Sequence, residues 1–207
     1  ATASPTATAT STATAMPTAQ PTLAGTEPLP CQMAYDSQWT SPSLPKPFTL
    51  AVMANGDILA IDDDVRVVRR FSSAGAFIGE FAPGQLGATY AVHVDANGDV
   101  WTGEQSRISK FSPAGALLAR TGTPGSLPGQ FNTVWSLTTD LAGNVYVAEL
   151  GSRVQKLNAA LQPQWATAVP ADSLRKAQYL AFDHGNDRLW GAGQAYLVFA
   201  LDPATGL

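Results

Sequence analysis

Tyr90-Ala91-Val92-His93-Val94-Asp95-Ala96-Asn97-Gly98-Asp99-Val100-Trp101-Thr102 decides the fold. Two alternating apolar runs flank Asn97-Gly98, a dipeptide whose residues both tolerate positive φ, so the stretch reads as an antiparallel hairpin. Downstream, Arg107 to Phe111 and Ala116 to Arg120 form two further strand-like runs separated by Pro113-Ala114-Gly115. One unit therefore holds four short strands, a to d, joined by turn chemistry.

The unit recurs along the chain. The turn cores Asn55-Gly56-Asp57, Asn97-Gly98-Asp99, Gly143-Asn144 and Gly185-Asn186-Asp187 are each followed by an apolar residue: Ile58, Val100, Val145 and Leu189, at spacings of 42, 45 and 44. A second register runs through Phe71, Phe111, Leu157 and Leu201, each followed by another turn. A period of about 40 to 45 residues with four strands per unit predicts an all-β propeller of four-stranded blades. A helical solenoid would not tolerate glycine and proline at these positions. The blade units fall near 47–88, 89–132, 133–176 and 177–207, within a propeller region of 31–207. The last unit stops where its strand d should begin. Met33 to Thr40 is predicted to supply a closing outer strand, because Trp39 stands fourteen residues before Met53 as Phe81 stands fourteen before Asp95. Either four blades close on themselves, or the ring holds more blades, as a truncated six-bladed ring would. A chain ending inside a blade leaves a strand edge unpaired, which favours the larger ring and gives self-association a basis.

The 207 residues, 45% apolar and 14% charged, fit one domain plus a tail. Residues 1–30 hold nine Thr, eight Ala and five Pro, with Glu27 the first charge. Such a stretch cannot offset its ordering entropy by burying apolar surface, so it is predicted to be a disordered stalk or linker. Its composition is that of extracellular spacers, which points to a secreted or cell-surface bacterial protein; a linker without chemical role is the plainer reading. Leu29-Pro30-Cys31 is not a lipid-anchoring site, since Pro adjoins the Cys and no apolar run precedes it. A lone Cys31 forms no internal disulfide. No run approaches the roughly 18 apolar residues of a membrane span. All twelve Lys and Arg lie from Lys46 onward, facing fourteen acids there, so the folded part has no basic field and nucleic acid is excluded as a partner.

The units resemble the NHL repeat. The third gives Ser136-Leu137-Thr138-Thr139-Asp140, Gly143-Asn144-Val145-Tyr146-Val147-Ala148-Glu149 and Arg153-Val154-Gln155-Lys156-Leu157. The second gives Val92-His93-Val94-Asp95, Gly98-Asp99-Val100-Trp101 and Arg107-Ile108-Ser109-Lys110-Phe111, and Leu127-Pro128-Gly129-Gln130-Phe131 looks like the blade connector. The resemblance implies a propeller whose relatives bind proteins, RNA or small molecules, some being enzymes. Peptidyl-hydroxyglycine amidating lyases are similar in their blades and hold zinc with histidines, one of which begins strand a. The matching positions here are Phe48, Tyr90, Trp135 and Gln178, and His93 and His184 are the only two histidines. Streptogramin B lyases are distantly similar at Gly98-Asp99-Val100-Trp101-Thr102-Gly103-Glu104, where Gly103 departs from their pattern.

Phe48, Tyr90 and Trp135 share the register that opens onto the central channel, with Gln178 in the fourth unit. Aromatic faces there suit sugar rings, cations or peptide side chains; a packing plug is the alternative. The turn between strands b and c carries Asp62-Asp63-Asp64, Glu104 with Arg107, and Glu149 with Arg153. These acids either order the turn through their own arginines or, at Asp62, Asp63 and Asp64, contact a divalent cation. His93 could act as a base oriented by Asp95, or be a packed strand residue. No catalytic residue and no cofactor are predicted. The expected function is a binding module that offers its channel face to a protein or glycan; the alternative is a metal-assisted lyase or lactonase whose catalytic residues lie outside this sequence.

Overall fold

Glycine sets the hairpins, in a form that differs from the expected two-residue turn. Gly56, Gly98 and Gly143 take φ of 84°, 84° and 80°, while no Asn of these turns has positive φ. In the first, Gly56 N donates to Met53 O and Met53 N to Asp57 O, at 2.9 and 2.8 Å. The loop is therefore a longer turn with glycine alone in the left-handed region, followed by a bulge. The asparagine contributes its carboxamide instead: Asn55 Oδ1 accepts from Asp57 N at 3.1 Å.

The computed structural model describes residues 40–151, 153–168, 177–193 and 198–207. The stalk of residues 1–30 and nearly all of the closing strand expected at 33–40 lie outside them. The first sheet contains β1 (Pro47–Val52), β2 (Ile58–Asp62), β3 (Val68–Phe71) and β4 (Phe77–Glu80). The second contains β5 (Thr89–Val94), β6 (Val100–Glu104), β7 (Ile108–Phe111) and β8 (Leu117–Thr121), and the third β9 (Val134–Thr139), β10 (Val145–Glu149), β11 (Arg153–Leu157) and β12 (Pro163–Ala168). β13 (Ala177–Asp183), β14 (Arg188–Gly193) and β15 (Val198–Leu201) form the fourth. Each sheet is an antiparallel meander in chain order, and together they make a propeller arrangement within Ser41–Leu207. No helix among the described residues is long and apolar enough to cross a membrane.

The core lies between blades. Leu59, Ile61 and Val68 of the first pack against Val92, Val100 and Phe111 of the second. Ala91, Trp101 and Ile108 meet Val134, Leu137, Val145 and Leu157 of the third, and Tyr146, Ala148 and Val154 meet Leu189 and Leu201 of the fourth. Strands β6 and β10 are buried along their whole length, because a b strand is flanked by partners in its own sheet and by a blade on each face. The inner strands pack in sequence, β1 on β5, β5 on β9, β9 on β13. No comparable packing joins β1 to β13 among the described residues, so the four blades form an arc with two ends.

Candidate functional site

Every inner strand opens with a bulge. Pairing jumps from Pro47↔Asp62 to Thr49↔Ile61, from Thr89↔Glu104 to Ala91↔Gly103, from Glu149↔Val134 to Ala148↔Ser136, and from Ala177↔Gly193 to Tyr179↔Ala192. The skipped residues are Phe48, Tyr90, Trp135 and Gln178, the four expected at the channel. A bulge breaks the strict alternation of a strand and re-aims one side chain. Here it does so at the same place in all four blades.

Three of these side chains converge. Trp135 meets Phe48 edge-on, with centroids 5.4 Å apart, and stacks on Tyr90 at 5.8 Å. Each such pair contributes about 0.5 to 1.5 kcal/mol beyond area burial. Gln178 is half-buried and joins none of these ring contacts. Into the cluster comes a residue that the sequence did not single out: the Arg66 guanidinium lies over Phe48 at 4.7 Å and over Tyr90 at 4.6 Å. Arg66 Nη2 also pairs with Asp63 at 2.5 Å. Arg66 Nη1 and Trp135 Nε1 are buried without a hydrogen-bond acceptor; the ring faces beside them are the electron-rich surface at hand. Arg66 holds φ at 55°, its N–H donating to Asp62 O and its carbonyl accepting from Thr89 N. The readable clue was turn length. Six positions separate Asp62 from Val68, against four from Glu104 to Ile108, and the extra residues carry Arg66 over the rings.

The rim carboxylates are latches. Glu104 Oε2 accepts from Gly87 N at 2.7 Å and from Arg107 Nη2 at 2.6 Å. Glu149 accepts from Asn132 N, Arg153 Nε and Gln155 Nε2, each at 2.7 Å. Asp62 accepts from Lys46 N at 3.4 Å, Asp64 N at 3.0 Å and Val65 N at 3.3 Å, with Arg69 3.8 Å away. Each acid ends strand b and ties down the connector entering its own blade, 16 or 17 residues earlier. Burial pushes the Asp62 carboxyl up, but these N–H donors and Arg69 outweigh it and hold the group below its usual value. Asp63 goes to Arg66 and Asp64 to Lys46, so the acidic run is dispersed over three partners rather than gathered into an oxygen cage. Among the described residues no group of three or more His, Cys, Asp or Glu is placed to hold a metal ion. In the fourth blade the latch position is Gly193.

Asp95 and Asp140, each just past the end of an inner strand, have a separate duty. Asp95 Oδ2 accepts from Trp101 Nε1 at 2.9 Å, and Asp140 Oδ2 from Tyr146 OH at 3.0 Å. Met53 and Leu59 take the two positions in the first blade, an apolar pair for a polar one. His93 lies beside Asp95 but shares its Nε2 hydrogen bond with Thr139 Oγ1 of the next blade at 3.0 Å. Burial pushes its imidazole below the usual value, against the pull of Asp95. His184 is exposed in a turn against Phe182.

A groove of about 660 Å³ opens on the b–c turn face between the second and third blades, and Phe48, Tyr90 and Trp135 are not among the residues that line it. Its walls are Gln105 and Ser106, the connector Pro124 to Ser126 with Phe131 and Asn132, and Glu149 to Gly151 with Arg153. Arg153 is fixed by the carbonyls of Ser126, Gly125 and Gln130 as well as Glu149. The side chains of Gln105, Ser106, Ser126 and Asn132 make no hydrogen bond to the described protein. The groove thus combines fixed charges with free neutral donors and acceptors, a lining suited to hydroxyls or peptide groups.

No family model and no curated protein matches the chain. Solved structures do match. A streptogramin B lyase aligns with TM-score 0.57 at 16% identity, over 77% of this chain and 56% of that one. The likeness is one of fold. A protein of unknown function from Bacteroides caccae aligns with TM-score 0.60 at 15% identity, over 78% and 58%. A catalytically inactive virginiamycin B lyase from Staphylococcus aureus with quinupristin gives 0.60 at 13%, over 76% and 53%. The chain thus spans little more than half the length of these propellers. Gly103, where the sequence departs from the lyase pattern, has a packing reason: a Cβ there would lie 2.3 Å from Val134 Cγ1 of the next blade.

Proposed function

We propose that the chain is a secreted or surface binding module built of NHL-type repeats, which offers the b–c turn face of its propeller to a protein or glycan. The repeated bulge that re-aims Phe48, Tyr90, Trp135 and Gln178 carries this reading. Bulges recur where a strand must redirect a side chain for a purpose other than sheet pairing. The groove beside Asn132 supports it, because its free amide and hydroxyl groups await partners while its charges are already paired. The latches support it too, since a face held rigid by buried hydrogen bonds loses little entropy on binding.

The test is a screen of the 207-residue chain on glycan and uncharged-peptide arrays, followed by titration with tryptophan fluorescence. Binding should weaken at least tenfold in Asn132→Ala or Trp135→Ala, with far-ultraviolet circular dichroism unchanged, and should survive chelation. Absence of any ligand on both arrays, or affinity indifferent to both substitutions, would contradict the proposal.

A further inference from the structure

The groove beside Asn132 rests on a lengthened connector. Residues 122–133, from β8 to β9, run four residues longer than the counterpart 81–88 between β4 and β5, and Pro124 to Ser126 of this connector form one wall. Arg153 holds that wall in place, with Nη1 donating to Ser126 O, Nη2 to Gln130 O, and Nε and Nη2 to Glu149. Thr133, buried, ties Gln105 to Leu150: its N–H donates to Gln105 O at 2.5 Å and its carbonyl accepts from Leu150 N at 2.9 Å. It does so at φ of 54°, a conformation that β-branched side chains rarely adopt. Ala88, at the same place in the preceding connector, has no positive φ. Strain of this kind persists only where the surroundings over-determine it.

The Thr133–Gln105 hydrogen bond sets the backbones carrying two exposed carboxamides, Asn132 and Gln105, side by side, and neither carboxamide bonds to the described protein. A carboxamide offers both donors and an acceptor, the pattern that a main-chain peptide group complements. Glu149 and Arg153 are engaged with each other and with the connector, so the groove presents no open charge to a phosphate or an ammonium group. Its walls present no ring face to a sugar, because Phe131 is only 1% exposed. Leu150, an exposed apolar side chain, completes the lining. We infer that the groove takes an extended, uncharged peptide segment of a partner protein and holds it by its main chain. Asn132 and Gln105 pair with peptide groups of the segment, and Leu150 packs on one of its apolar side chains. The inference rests on the reading of the chain as a binding module and names the ligand class of that module.

An array of end-blocked heptapeptides without charged side chains, probed with the full chain, supplies the tightest binder, whose affinity is then measured by calorimetry. Gln105→Ala and Asn132→Ala should each weaken it about tenfold or more, the effect of losing a pair of hydrogen bonds. Circular dichroism should not change, since neither side chain bonds within the chain. N-methylation of one central peptide nitrogen should cost a similar factor, whereas alanine in place of the side chain at that residue should not. Added salt should leave the affinity unaltered, and Leu141→Ala, at an exposed turn residue, should bind as wild type. Failure of every heptapeptide to bind, affinity indifferent to both carboxamide substitutions or to N-methylation at every position, or a marked fall with salt would each overturn the inference. Glycans that bind in place of peptides and are lost in Asn132→Ala would overturn it while leaving the binding-module reading intact; silence of peptide and glycan arrays alike would remove both.

Discussion

Replacing Glu149 with alanine tests the latch most severely. Its carboxylate is 2% exposed and accepts four hydrogen bonds: from Asn132 N, from Arg153 Nε and Nη2, and from Gln155 Nε2. Removing it leaves the buried Gln155 amide and the Asn132 N–H short of an acceptor and an arginine without its counter-charge. Breaking one partner of a buried pair costs about 3 to 5 kcal/mol. For a domain of this size each kcal/mol lowers the melting temperature by about 2 to 4 °C, so the fall should be roughly 6 to 20 °C. Glu149→Gln retains an acceptor of the same shape and should lose about 1 to 3 kcal/mol. Urea unfolding followed by circular dichroism measures both. A loss below about 1 kcal/mol for the alanine variant would mean that the connector is held by other contacts, and the latch reasoning would fail.

Gly103→Ala should destabilise by about 1 to 3 kcal/mol, since the added methyl meets Val134 across the blade junction and Ala91 on the paired strand of its own sheet; the same urea assay checks it. Tyr146→Phe removes the hydroxyl that donates to Asp140 and should cost about 1 to 2 kcal/mol, leaving the apolar stack on Phe182 intact. The pH profile should fall in two stages. His93 is held neutral by burial, so the unfolded chain binds its proton first and stability declines as pH drops below about 6.5. His93→Gln should flatten that stage. Asp62 and Asp95 are held below the usual carboxylate value by their donors, so their stabilisation persists to about pH 4 and is lost below it. Thermal melts at unit pH intervals separate the stages.

The strand order and the four-blade repeat were legible because two independent turn registers coincide along the chain. The shared register of Phe48, Tyr90, Trp135 and Gln178 was legible as well, though the bulge at each of them leaves no mark in the sequence. What sequence could not display was competition for partners. Asp62, Asp63 and Asp64 look like a cation site as a string, yet backbone N–H groups, Arg66 and Lys46 claim them one by one. Arg66 was hidden because its reach to the rings depends on a left-handed backbone in a lengthened turn. The Asn-Gly turns were placed correctly but given the wrong geometry, since glycine alone takes positive φ while the asparagine or aspartate side chain satisfies the loop N–H groups. The groove is invisible in one dimension, because its walls come from segments of two blades.

The central claim is a propeller arc whose b strands, sandwiched between neighbouring strands and neighbouring blades, form the core on which the turn face is held. Native-state hydrogen exchange, read residue by residue, tests it directly. The account predicts that amides of Val100–Glu104 and Val145–Glu149 exchange slowest, near the rate set by global unfolding, and that the outer strands Phe77–Glu80 and Leu117–Thr121 exchange much faster. Outer strands protected as well as β6 and β10, or rapid exchange throughout β10, would contradict it.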